Sequence, residues 1–337
     1  MALTSTALRN TMRKYGIAIV LVLMIILLSI VQPAFIGAGN IFNVLTQSCI
    51  FGIMALGMTF VIISKGIDLS VGSVLALSGV IAASFGQVQD ATEKYFPNMP
   101  VMPVIVPIII SLGIGALCGC INGTLIAKTK IPAFIATLGM MTVARGFALL
   151  YTSGRPVSEL IPSLNFLGGR LFDESEHIPV IFKLPVPVII FLIMIVISHI
   201  LLNKTRFGKN TYAIGGNITA AEVSGVNVSK YTILIYTYCG LLAGLAAIVF
   251  AGRVGSVHPG AADGYELTAI ASTTIGGTSH SGGIGTIIGA FIGAMVLSVL
   301  RNGFTLLNVN AYWQKVAEGV IIVVAVIIDM RKNAKRD

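Results

Sequence analysis

A chain of 337 residues with 55% apolar residues, only 10% charged residues and a mean hydropathy of +0.93 carries more apolar surface than one soluble core could hide. Its formal net charge of +9 would point to nucleic acid in a soluble protein. Here it is read as membrane topology, with membrane lipid and no nucleic acid expected as a partner.

The first apolar run, near 16–33, follows Arg9, Arg13 and Lys14. It is long for the apolar part of a signal peptide, so an uncleaved first helix is expected. Further spans are predicted near 43–64, 69–86, 104–127, 132–152, 184–202, 229–251, 265–278, 284–303 and 312–329. The eighth is short and rich in Gly, Ser and Thr. Residues 1–337 thus read as a single transmembrane domain, an all-α integral membrane protein of about ten helices.

Between spans two and three lies Ser64-Lys65-Gly66-Ile67-Asp68-Leu69-Ser70-Val71-Gly72-Ser73. Asp68 suits the N-cap of span three, where its carboxylate would accept backbone N–H bonds. The other reading sets Asp68 and Ser70 beside a substrate path or a subunit contact. Loops 87–103, 153–183 and 252–264 are expected outside the cell, and 153–183 balances Glu159, Asp173, Glu174 and Glu176 against Arg155, Arg170 and Lys183. Cys49, Cys118, Cys120 and Cys239 sit in apolar runs without a metal or redox spacing and are expected to pack as small hydrophobes.

The longest hydrophilic inside segment is 203–230. A basic cluster, Asn203 to Lys209, leads to a break at Gly215-Gly216-Asn217. A short helix is then predicted from Thr219, with Thr219 as N-cap, Glu222 completing a capping box and Gly225 ending it. Such a helix suits a groove on another protein; the plainer reading is a basic loop held by lipid headgroups. Further on, Glu266 stands at the outer mouth of span eight, with Thr268 a turn inside and His280 and Ser281 in a Gly-rich turn at its inner end. Glu266 reads equally as a cap or as a group facing substrate or a delivering protein, and His280 as an ordinary surface residue. Lys315 and Glu318, three apart on a helix, are expected to pair, and Arg145 and Arg301 to snorkel at outer ends. His199 is expected to be structural. No catalytic residues, metal site or cofactor is expected, and no GxxxxGK[ST] stretch occurs.

Most of the 22 Lys and Arg fall on the side that includes both termini, which favours an inner-membrane protein with both termini cytoplasmic. Tyr312 and Trp313 then lie at the outer interface. A weak internal echo pairs Ser70-Val71-Gly72-Ser73 with Gly283-Ile284-Gly285-Thr286, each opening an apolar run. Paired breaks of this kind point to translocation sites in transporters built from repeats, while close helix packing would explain the same small residues.

Gly66 to Ser73, Ala213-Ile214-Gly215-Gly216-Asn217 with Ala220-Ala221 and Ser224 to Val228, and Tyr265-Glu266-Leu267 with Gly276-Gly277-Thr278-Ser279, Gly282-Gly283 and Gly285 together resemble the permease subunits of bacterial ABC sugar importers. The likeness covers nearly the whole chain and lies closest to the ribose, xylose and galactose/methyl-galactoside branch. Thr268 stands where related permeases often carry Asp, and His280 where an apolar residue is common. Galactoside-like and ribose-like segments are mixed, with a lean to hexose. The resemblance implies the ABC importer permease fold and a homodimer driven by a cytoplasmic ATP-binding subunit with two fused cassettes. It also implies an extracytoplasmic sugar-binding protein that delivers the sugar. Coupling to the ATPase would run through Gly215, Gly216, Asn217, Ala220, Glu222 and Gly225, and Asp68, Ser70, Glu266, Thr268 and Ser281 would line a path or gate. The competing class is an ion-coupled secondary sugar transporter carried by Asp68, Glu266 or Glu318.

Overall fold

The computed structural model describes residues 2–169 and 184–333, with side chains described for 16–169 and 184–327. Arg170, Asp173, Glu174, Glu176 and Lys183 of the expected outer loop lie outside the described residues, as do Lys335 and Arg336. Helices follow in the order α1 (Ala2–Val31), α2 (Ala38–Ile63), α3 (Val71–Phe85), α4 (Ile105–Thr129), α5 (Ala133–Thr152), α6 (Pro162–Phe166) and α7 (Val186–Lys204). They continue with α8 (Arg206–Gly216), α9 (Ile218–Val223), α10 (Val228–Val254), α11 (Tyr265–Ile275), α12 (Ile287–Leu306) and α13 (Ala311–Asn333). No strand occurs among the described residues, only isolated bridges between Gln87 and Leu160 and between Val157 and Val257.

Each of the ten predicted segments carries a helix, but they differ in kind. Among the described residues six (α2, α4, α5, α7, α10 and α12) are long and apolar enough to cross a membrane. α11 has 11 residues and α3 has 15. At 1.5 Å per residue they reach about 16 and 22 Å, short of the roughly 30 Å hydrocarbon core. Each is preceded by a non-helical lead-in, 64–70 and 255–264.

The core is built around α2, whose most apolar window is 94% buried, against 22% for α5. α7, α10, α11 and α12 pack on α2, α3 and α4 pack on α10, and α5 packs on α3. Small residues set the closest approach. Gly115, Gly119 and Gly123 form one face of α4, and a Cβ at any of them would press on the α10 backbone at Gly240, Tyr236 or Ile233. In lipid no hydrophobic drive pushes helices together, so this backbone-to-backbone contact supplies the packing energy. Outward faces of α1, α4, α5, α7 and α13 are apolar, with Leu27, Leu117, Leu150, Val196 and Val320 exposed.

α2, its lead-in and α3 share with α10, its lead-in and α11 the order of long helix, break and short helix. α3 and α11 meet N-terminus to N-terminus, because a Cβ at Gly72 would fall on Glu266 Oε2 and the Ala262 carbonyl. From there they run apart. α3 ends where the Ile161 N–H donates to Gly86 O (2.8 Å), and beyond α11 the Gly283 N–H donates to Ile63 O (2.8 Å). The breaks at 64–70 and 255–264 thus meet at the junction of the two short helices, while 283–286 lies against the end of α2.

Candidate functional site

The junction of the two half-helices is polar inside an apolar bundle. Asp68 is not the N-cap expected from sequence: α3 is capped by Ser70, without a side-chain bond. Instead Asp68 is buried, and its Oδ1 accepts the Ser70 N–H (2.8 Å) and the Ser70 hydroxyl (2.6 Å). Asn122 Nδ2 of α4 donates to Ser70 Oγ (3.0 Å), and Thr137 Oγ1 of α5 donates to Ile67 O (3.3 Å), so the first lead-in is stitched to both neighbours. The second lead-in is held by Arg145, whose Nη1 donates to Pro259 O (2.7 Å) and Ala261 O (2.8 Å). Arg145 thus does not snorkel. Glu266 is buried beside Gly72, one residue into α11, and the N-cap of that helix is Gly264 at φ +80°.

Beside this junction opens a cleft of about 550 Å³. Its wall is the end of the second lead-in and the first turn of α11, from Asp263 to Leu267, with Gln47 of α2, Arg301 and Thr305 of α12, and Gln314, Lys315 and Glu318 of α13. Arg301 organises it. Its Nε and Nη2 form a two-pronged ion pair with Glu318, Nη2 to Oε2 at 2.8 Å, and Nη2 also donates to Thr268 Oγ1 (2.7 Å). The guanidinium carbon lies 4.3 Å over the Phe51 ring centre. Glu318 therefore pairs with Arg301 rather than Lys315. A planar guanidinium on a facing helix offers two aligned donors, which the ammonium three residues away cannot match.

At the other end of the bundle α8 and α9 form a hook. α8 lies against the end of α2 and the turn after α11. Gly215 is flush on Ile63 O and Gly283 N, Tyr212 Oη donates to Gly285 O (2.7 Å), and Lys65 Nζ donates to Gly216 O (3.4 Å). Burial raises the Tyr212 phenol above its ordinary value of 10.0, so it remains a donor at neutral pH. α9 is capped two residues earlier than expected. Its N-cap is Asn217, whose Oδ1 accepts the Ala220 N–H (3.0 Å), so neither Thr219 nor a Glu222 capping box opens it. Gly225 does close it, at φ +82°. Ala221 faces inward, while Ile218 and Val223 are exposed by 52% and 86%, and no sequence reading singled them out. Two apolar residues flanking a polar six-residue helix were the available signal. Ser281 is exposed in the turn beside the hook and far along the chain from the cleft, and His280 is half-buried with Nε2 2.8 Å from Thr274 Oγ1. The structure thus joins Glu266 and Thr268 at the cleft, holds Asp68 and Ser70 just behind it, and sets Ser281 in the turn that α8 packs against.

Residues 40–326 match the family described as "Branched-chain amino acid transport system / permease component". The chain is 42% identical to the ribose import permease protein of Bacillus subtilis, over 96% of this chain and 95% of that one. It is 41% identical to the ribose import permease protein of Escherichia coli over 94% and 93%. It is 38% identical to the galactose/methyl galactoside import permease protein of E. coli, over 99% of each. No solved structure matches.

Proposed function

The chain belongs to the branched-chain amino acid transport system permease family, and we propose that it is the membrane-spanning subunit of an ATP-driven importer of a monosaccharide. The observation that carries this reading is the full-length likeness to permeases named for ribose and for galactose, at 42% and 38% identity. The polar wall of the cleft supports a sugar over an apolar amino acid, because Gln47, Arg301, Thr305, Gln314 and Glu318 suit hydroxyl groups. The protein is a transport subunit with no covalent chemistry of its own.

ATP hydrolysis belongs to a separate ATP-binding subunit with two fused cassettes, and sugar arrives from an extracytoplasmic binding protein. Two copies of this chain pair in the inner membrane, with both termini and the hook on the cytoplasmic side. Gly215, Gly216, Asn217, Ala220, Glu222 and Gly225 then form the surface that couples to the ATPase, with Ile218 and Val223 as its apolar contacts. Asp68 and Ser70 brace the gate at the half-helix junction, and Glu266 and Thr268 edge the path. Co-reconstitution of the chain with the ATP-binding subunit and sugar-binding protein in vesicles tests the reading. Accumulation should need ATP and both partners; concentrative uptake by the chain alone, abolished by a protonophore, would overturn it.

A further inference from the structure

Resting on the importer reading, we propose that the cleft beside the α11 N-terminus is the transient sugar site, and that Arg301 and Glu318 are its hydroxyl-binding pair. Charged groups within spans are costly and usually face a partner or an aqueous path. Here both conditions hold at once. The pair is mutually neutralised, yet its side chains keep 16% and 21% exposure and line an open cavity of about 550 Å³, within the roughly 300–1,000 Å³ of small-molecule sites.

Neither group is saturated. Of the five guanidinium N–H donors, three are engaged by Glu318 and Thr268, and the two on Nη1 have no protein acceptor among the described residues. Each Glu318 oxygen accepts one bond from Arg301 and retains a lone pair. An adjacent donor pair and acceptor pair match neighbouring sugar hydroxyls, which both donate and accept. Gln47, Thr305 and Gln314 extend the same chemistry around the wall, and Tyr265 adds a ring.

Charge balance argues for a neutral ligand. Arg301 and Lys315 face Asp263, Glu266 and Glu318 across the cleft, so neither an anion nor a cation finds a field of one sign. A structural ion pair would instead be closed off and fully bonded. Here the short α11 helix leaves room above its first turn, and the pair stands at the edge of that room.

The test measures sugar delivered per ATP hydrolysed in the full assembly. Glu318→Gln should lower that ratio about tenfold, the effect of one or two lost hydrogen bonds to substrate, and Arg301→Lys should do the same. An unchanged ratio in both variants overturns the proposal. Should these variants fail to assemble, Gln314→Cys in a Cys120→Ser background gives an independent readout, because Cys49, Cys118 and Cys239 are buried. A membrane-impermeant thiol reagent should label Gln314→Cys, and sugar supplied during turnover should slow the labelling. Absent or sugar-indifferent labelling in an assembly with normal uptake refutes this site alone. A wild-type assembly lacking ATP-dependent uptake refutes the importer reading, and this site with it.

Discussion

Two adjacent glycines on α8 separate packing from mere composition. In Gly215→Ala the new Cβ would press into Ile63 O and lie 2.7 Å from Gly283 N and 2.8 Å from Ile63 C. These are backbone atoms that no rotamer change can move, and they form the 2.8 Å hydrogen bond from Gly283 to Ile63. Overpacking at such a site costs about 1–3 kcal/mol, and loss of the hydrogen bond adds roughly 0.5–1.5 kcal/mol. Better helix propensity returns about 0.5–1 kcal/mol. The net cost of about 0.5–4 kcal/mol displaces the hook from its seat by roughly twofold to several hundredfold. Gly216→Ala is the control, since no atom lies within 4 Å of its Cβ, and it should only gain the helix term. Sugar-stimulated ATPase activity and uptake in the reconstituted assembly should both fall in Gly215→Ala, and by a clearly smaller factor in Gly216→Ala. Equal activity, or equal impairment, of the two variants would refute the tight seat as the coupling contact.

Val223→Glu, at a side chain exposed by 86%, should abolish co-purification with the ATP-binding subunit while shifting the unfolding free energy of the isolated chain by less than about 0.5 kcal/mol. Gly119→Leu should push α4 off the Tyr236 carbonyl and destabilise the bundle by about 1–3 kcal/mol or more, read as a lowered Tm in detergent. Tyr212→Phe removes the bond to Gly285 O and should cost about 0.5–1.5 kcal/mol, measured as weaker coupling. In the wild type the folded phenol sits above the ordinary 10.0, so the protonated form is the one the fold favours. Its contribution should be full below pH 10 and decline as the pH climbs from there through the raised value; coupling that weakens already between pH 7 and 9 in the wild type but not in Tyr212→Phe would contradict this sign.

Much of the fold was legible because lipid imposes one strong rule: apolar runs of sufficient length become helices. That rule found all ten helical segments, and it also flagged the eighth as odd. It could not say that α11 stops at 11 residues, since the lead-in 255–264 is fixed by Arg145 from α5, a contact made across more than a hundred residues. Pairing preferences failed for a related reason. Lys315 is the near neighbour of Glu318 along the helix, but Arg301 on α12 reaches it with two donors, and sequence spacing carries no record of which helix lies alongside. Local capping failed by a narrower margin. Asn217 and Thr219 are both good N-caps, and the backbone at Asn217, extended at φ −153°, decides between them.

The placement of the hook gives the proposed coupling a short mechanical route. α8 touches the chain at two places only a few residues from the half-helices: Ile63 and Lys65, where α2 gives way to the lead-in to α3, and Gly283 and Gly285, which follow α11. α3 and α11 meet at their N-termini, where Gly72 leaves no space beside Glu266. A displacement of the hook therefore pulls on both arms of the same junction. α11 spans only about 16 Å between the hook contacts and the cleft, and a short rigid helix transmits translation with little bending. The other fixings oppose that motion: Arg145 holds the second lead-in from α5, and Asn122 and Thr137 hold the first from α4 and α5. Under the proposed function these side chains set the resistance of the gate, so weakening them should raise ATP hydrolysis without raising sugar transfer. Weakening the Gly215 seat should lower both. Opposite signs from the two sets of contacts are what a two-ended lever predicts, and a uniform loss from both would reduce the junction to ordinary packing.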